Sequence, residues 1–246
     1  MRFEYWEPIY LEISEEFGFS RERDEEAARL LSLLLRSDQT ISDQEEQSGL
    51  DAIGSIVRGR DVLVCGNAPC LARELDDVSP GYVMIAADGA TTVLLEMGIV
   101  PEVIVTDLDG TVPDIIAANR RGSLVVVHAH GDNMAALREY VPQMSRVIGT
   151  TQSRPFDEIY NFGGFTDGDR CVFLARCFGA SKIELAGFDY DDQNVAPMKK
   201  MKLRWAKRLV KMALDLPAPL RPGGRGTRLS PPAPARRHLP DRGLHR

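Results

Sequence analysis

The run Val103-Ile104-Val105-Thr106-Asp107-Leu108-Asp109-Gly110 decides the fold class. Its aliphatic, β-branched start reads as a strand buried on both faces, the kind found in parallel sheets. The strand stops at two carboxylates separated by one leucine. In an α/β protein the ligand sits just beyond the carboxyl ends of such strands. Two runs of the same kind flank it. Val83-Met84-Ile85-Ala86-Ala87-Asp88-Gly89 comes before, and Leu124-Val125-Val126-Val127-His128-Ala129-His130-Gly131-Asp132-Asn133 comes after. Three apolar strands ending in Asp, His and Gly predict an acidic, metal-capable pocket.

Outward from this centre, strand and helix signals alternate. Strands are expected at 61–65, 82–86, 103–105, 124–127, 146–149 and 182–187. Helices are expected near 71–75, 90–97, 113–120, 133–140 and 169–178. Short connections and aliphatic strands predict an α/β protein with a mostly parallel sheet covered on both faces. The expected form is a Rossmann-like three-layer sandwich, since eight full strand–helix units of a barrel do not fit. Residues 1–56 read as a helical N-terminal region, with Ala27, Ala28, Leu30, Leu31, Leu34 and Leu35 at helical spacing. The α/β core is expected over 57–197 and a basic amphipathic helix over 198–215. The Pro-, Gly- and Arg-rich stretch 216–246 reads as a disordered tail.

The chain has 246 residues, 43% of them hydrophobic, enough to bury a sizeable core. Its net charge of −6 is uneven: the first fifty residues are acidic and the stretch after Met198 is basic. This balance does not fit a general nucleic-acid binder. No run approaches the ~18 apolar residues of a membrane span, and no secretory signal opens the chain. A cytoplasmic location without nucleic-acid or membrane partners is therefore expected. Cys65, Cys70, Cys171 and Cys177 form no CxxC pair and read as small buried hydrophobes. A homodimer is compatible with the apolar surface of the N-terminal helices.

Asp88, Asp107 and Asp109 are the leading catalytic and metal-binding candidates. Unpaired carboxylates are costly to bury, and a hard divalent cation removes that cost while bridging polyphosphate oxygens. The bland alternative, helix capping by Asp109 or Thr111, explains one residue and not the set. Gly66-Asn67 follows the first strand and suits a close backbone approach to phosphate. It matches neither the dinucleotide fingerprint nor a P-loop. His128 and His130 alternate along a strand with Asp132 and Asn133 behind them; no further ligand completes a zinc pattern, so they read as hydrogen-bonding groups. Thr166-Asp167-Gly168-Asp169-Arg170 opens a helix, offering backbone donors and a guanidinium to anionic oxygens, or alternatively an N-cap with a charge pair. Asp189 ends the last strand. Lys199 and Lys202 project from the basic helix, either to phosphate or to solvent.

Taken in order, the runs 66–69, 87–90, 106–110, 128–133, 165–170 and 186–189 resemble the archaeal 6-hydroxymethyl-7,8-dihydropterin pyrophosphokinase (MptE-like) family over about residues 55–212. The Asp-Gly and Asp-Leu-Asp elements also resemble thiamine pyrophosphokinases. The first resemblance implies transfer of diphosphate from ATP to the hydroxymethyl group of a reduced pterin, with release of AMP, in methanopterin- or folate-type cofactor synthesis. It implies Mg²⁺ on Asp107 and Asp109 with Asp88 in support. It makes His130, Asn133, Arg170 and the basic helix candidates for phosphate, and the 163–170 run and Asp189 candidates for a heterocycle. The competing expectations are the same transfer to thiamine, and a nucleotide-binding module that releases no AMP.

Overall fold

The computed structural model describes residues 2–37 and 43–216. Three helices come first: α1 (Phe3–Phe17), α2 (Arg21–Ser37) and α3 (Asp43–Val57). Then β1 (Asp61–Cys65), α4 (Leu71–Leu75), β2 (Val83–Ala87), α5 (Ala90–Glu96), β3 (Val103–Thr106), α6 (Val112–Arg120), β4 (Leu124–Ala129), α7 (Met134–Tyr140), β5 (Val147–Thr151) and β6 (Ile159–Tyr160) follow. The described chain closes with α8 (Asp167–Cys177), β7 (Lys182–Ala186) and α9 (Pro197–Asp215). Beyond Leu216 the expected tail lies outside the described residues.

The strands form one seven-stranded sheet, ordered β6-β5-β4-β3-β2-β1-β7 and parallel at every pairing. Because side chains alternate across a strand, each strand supplies both faces. Val62 and Val64 join one apolar cluster, while Leu63 and Cys65 join the other. The first cluster packs against α1, α3, α8 and α9, and the second against α2 and α4 to α7. Helices on both faces explain why the strands are apolar on both sides. From β1 to β6 the chain steps steadily to one edge, then α8 carries it back to place β7 beside β1. The strand order therefore reverses at β1 and β7, which opens a crevice at their carboxyl ends.

Differences from the expected elements are local. The pair Ile159–Tyr160 carried too little sequence to read as a strand. Helix α8 begins at Asp167 rather than Asp169, because Thr166 and Asp169 form a reciprocal capping box there. Cys65, Cys171 and Cys177 are buried, whereas Cys70 is partly exposed. Among the described residues, no helix is long and apolar enough to cross a membrane.

The N-terminal helices are part of the core. Phe3, Trp6, Tyr10 and Ile13 share one face of α1 and are all buried. Each such side chain contributes roughly 1.5–3 kcal/mol by leaving water. Asp24 of α2 is 3% exposed and accepts hydrogen bonds from Tyr10 Oη (2.8 Å), Gln152 Nε2 (2.7 Å) and the Gly131 amide (2.9 Å). That one carboxylate ties both leading helices to the loops after β4 and β5. Asp24→Asn places an N–H₂ among donors and is expected to cost about 1–2 kcal/mol of stability, read as a lower urea midpoint at unchanged slope.

Candidate active site

The polar residues singled out in the sequence gather along the carboxyl edge of the sheet. Asp88 leaves β2 with φ 39° and Leu108 follows β3 with φ 66°. These left-handed turns stop both strands abruptly and fold the chain back over the sheet edge. Thr106 joins the two turns. Its hydroxyl accepts from the Leu108 amide at 2.8 Å and donates to Asp88 Oδ1. The result is convergence: carboxylate oxygens of Asp88, Asp107 and Asp109 lie within 4.8 Å of one another. Gly110 is required here, because a Cβ at that position would overlap Asp88 Oδ2.

Crowding sets the protonation of these groups. Burial pushes Asp88 up to about 6, and the charges of Asp107 and Asp109 add to the effect. Burial followed by the charge of Asp107 also raises Asp109, while Lys202 opposes. Burial acts the same way on Asp107, but the hydrogen bond from His130 and the charge of Arg170 outweigh it and hold this carboxyl below its usual range. Asp167 is raised well above the usual range by burial and then by Asp107, despite its 3.0 Å pairing with Arg170 Nη1. Four acidic groups therefore crowd this edge of the sheet, with Arg170 paired directly to one of them, Asp167.

The loop after β4 organises the other side. His130 Nδ1 accepts from the Asp132 amide at 3.3 Å, which leaves its Nε2–H to donate to Asp107 Oδ2 at 3.3 Å. Asn133 locks the loop: its amide nitrogen donates to Asp107 O (2.8 Å) and His128 O (2.7 Å), and its oxygen accepts from the His130 amide (3.1 Å). Three buried polar atoms remain without a partner here: Asp107 Oδ1, His128 Nε2 and Arg170 Nε. Buried polar groups are normally paired, so three orphans at one strand-end cluster mark a place for a ligand.

A family model described as 6-hydroxymethylpterin diphosphokinase MptE-like matches residues 40–195. The chain belongs to this family. A relative from Methanothermobacter thermautotrophicus is 43% identical over 227 residues, covering 85% of this chain and 94% of the relative. One from Methanocaldococcus jannaschii is 37% identical over 235 residues, covering 85% and 95%. One from Pyrococcus furiosus is 47% identical over 193 residues, covering 77% and 79%. Each is named a 6-hydroxymethyl-7,8-dihydropterin pyrophosphokinase.

In this MptE-like chain the remaining candidates divide into three groups. Gly66 and Asn67 lie at the β1–β7 crevice, where Gly66 N donates to Ala186 O and Ala68 N to Gly187 O. Phe188 packs there against both Gly66 and Gly168, joining the crevice to the start of α8. Gly187 has φ +72°, and a Cβ on it would overlap Gly66 O. Gly187→Ala is therefore expected to cost about 2 kcal/mol, seen as a lower thermal midpoint. A second group is used up in local structure. Asp169 is fully buried and accepts from the Thr166 amide (3.0 Å), the Thr166 hydroxyl (2.7 Å) and the Phe165 amide. Asp132 is exposed and pairs with Arg23 at 3.4 Å. Asp189 is exposed and accepts from the Asp191 amide at 3.2 Å. The third group is cationic. Lys202 is partly exposed and its charge reaches Asp109, while Lys199 is exposed. Further along α9, Lys207 pairs with Asp191 and Arg208 with Glu12, which commits them elsewhere.

Sequence reasoning missed the parts played by Thr106, by Asp24 and by Thr150, whose hydroxyl lies 3.1 Å from both Val127 O and His128 Nδ1. Each acts through a contact far along the chain or through a hydroxyl whose partner no local pattern reveals.

Proposed function

We propose that this chain transfers a diphosphate group from ATP to the hydroxymethyl oxygen of 6-hydroxymethyl-7,8-dihydropterin, for methanopterin-type cofactor synthesis. The pterin oxygen attacks the β-phosphorus, the bond between the β-phosphorus and the α,β-bridging oxygen breaks, and AMP leaves. The observation that carries this reading is the converging Asp88–Asp107–Asp109 set with one buried Asp107 oxygen unpartnered. Three carboxylates at this separation suit a hard divalent cation such as Mg²⁺. When bound, that cation neutralises polyphosphate charge and stabilises the charge that develops in transfer.

The chain's own groups do the positioning. His130 holds Asp107 by one oxygen and leaves the other, buried, without a partner. Thr106 fixes Asp88 in the same way. Arg170 acts on Asp107 and Lys202 on Asp109, and these two positive charges attract the phosphate oxygens. The Gly66–Asn67 turn at the strand-order reversal takes the nucleotide.

The test is incubation with ATP, Mg²⁺ and either the reduced pterin or thiamine, with AMP measured by chromatography. AMP formed one-for-one with pterin diphosphate is the expected result. AMP formed only with thiamine would move the chain to the sister activity. ATP binding without substrate-dependent AMP would overturn both readings.

A further inference from the structure

The peptides on either side of Gly131 are held by two neighbouring residues of α2, and both peptides bear on His130. A peptide group is planar, so gripping one of its atoms fixes the direction of the others. In the His130–Gly131 peptide, the Gly131 amide donates to Asp24 Oδ1 at 2.9 Å, and the His130 carbonyl accepts from the Asn133 amide at 3.2 Å. In the Gly131–Asp132 peptide, the Gly131 carbonyl accepts from Arg23 Nη2 at 3.0 Å, and the Asp132 amide donates to His130 Nδ1 at 3.3 Å. One imidazole nitrogen is therefore fixed by a peptide that α2 holds. The other lies 3.3 Å from Asp107 Oδ2. Gly131 is what lets α2 come this close, since a Cβ there would lie 2.6 Å from the Arg23 Cβ.

Asp24 is the anchored end of this chain of contacts. It is 3% exposed, and its second oxygen accepts from Tyr10 on α1 and from Gln152 after β5. Gln152 is itself pinned, because its carbonyl accepts from Trp6 Nε1 at 2.9 Å and from Asn161 Nδ2 at 3.0 Å. We infer that Asp24 is a positioning residue for the cation-binding carboxylates, acting through Gly131 and His130 on Asp107. The two leading helices then belong to the catalytic apparatus as well as to the core. The inference rests on the cation role given to Asp107 in the diphosphokinase reading. Asp24→Asn breaks the chain at a definite point. The amide keeps its oxygen toward the two donors Tyr10 and Gln152 and turns its N–H₂ toward the Gly131 N–H, so the bond to Gly131 is the one lost.

The experiment measures Mn²⁺ binding to the full chain without nucleotide, by electron paramagnetic resonance of the free ion, with AMP formation assayed separately in Mg²⁺. Asp24→Asn is expected to bind Mn²⁺ about tenfold more weakly than wild type, the usual effect of losing a partner that orients a metal ligand. Tyr10→Phe removes a donor from the other Asp24 oxygen, so it should lower the thermal midpoint and leave Mn²⁺ affinity unchanged. The deciding comparison is a double-mutant cycle with His130→Ala. In that background Asp24→Asn should still lower the thermal midpoint but make no further change in Mn²⁺ affinity. A full second loss on top of His130→Ala, or wild-type Mn²⁺ affinity in folded Asp24→Asn, would overturn the assignment. If Asp24→Asn does not fold, Arg23→Ala takes its place in the same cycle, because that side chain is 58% exposed. A smaller loss in the same direction is then expected, and none beside His130→Ala; wild-type affinity would again overturn the role. Pterin-dependent AMP from wild type together with an additive cycle would leave the diphosphokinase reading standing and remove the positioning role. Wild type that binds Mn²⁺ and forms no AMP would remove that reading, and the cycle would still decide the role of Asp24. Wild type that binds no Mn²⁺ would overturn the cation assignment and this inference with it.

Discussion

Asp107→Asn is expected to lower kcat/KM for AMP formation by about a thousandfold, or about 4 kcal/mol of transition-state stabilisation, with the chain still folded. The size follows from what Asp107 does at once. One of its oxygens is held by His130 and the other is buried and unpartnered among the converging carboxylates. Asparagine fills the same volume but replaces an anionic oxygen by an N–H₂ that repels a cation. It also removes the acceptor that keeps His130 in place if the amide turns the wrong way. Steady-state AMP release measured beside near-ultraviolet circular dichroism separates loss of chemistry from loss of fold. Activity within tenfold of wild type would remove Asp107 from the machinery. The lost metal affinity should appear as a higher Mg²⁺ requirement in the residual activity.

Asp88→Asn is expected to act oppositely on stability and on function. An acid raised from its ordinary value to about 6 binds its proton more tightly in the folded chain than in the unfolded one. Its ionised form therefore destabilises the metal-free fold above pH 6, and that penalty fades as pH falls from about 6 to about 4. The difference of about two pKa units corresponds to about 3 kcal/mol. In metal-free buffer at pH 8 the variant should melt about 6 °C above wild type, and below pH 4 the two should coincide. Asp107 and Asp109 act on Asp88, so the difference between wild type and variant reports the response of the whole carboxylate cluster to losing this charge. Added Mg²⁺ should stabilise wild type more than the variant. A variant that melts lower than wild type at pH 8 would show that the Asp88 carboxylate is not under strain. Those outcomes together would show a site that costs the free chain stability and is relieved by a bound cation.

Much of this site is visible in the primary structure because a parallel sheet concentrates function at one edge. Asp88, Asp107, His128 and Gly66 each stand at or beyond the end of an aliphatic run, and strand direction alone brings them together. The order of the strands was not visible. Nothing local says that Lys182–Ala186 pairs with Asp61–Cys65 rather than with the preceding strand β6. Asp169 shows the limit of reading residue types: it sits in an acidic run pointing at the site, yet its oxygens are spent on the Phe165 and Thr166 amides. Thr150 shows the opposite error. A threonine in a strand looks like filler, and only its simultaneous contacts with Val127 O and His128 Nδ1 reveal that it braces the buried histidine. Asp24 carries no local mark of its burial, because its three partners come from α1 and from loops more than a hundred residues away.

The late pairing of β7 with β1 has a consequence for synthesis. As the chain leaves the ribosome, β1 gains its β2 neighbour early, but its other edge stays open until Lys182–Ala186 emerges. During that interval Val62, Leu63, Val64 and Cys65 present an apolar strand with unpaired amides and carbonyls, a template for another nascent chain. Translation that stalls or ends before β7 should yield insoluble aggregates rather than a smaller enzyme. Slower elongation at low temperature would prolong the exposure it is often meant to relieve. A chaperone that covers open strand edges would be the more effective remedy.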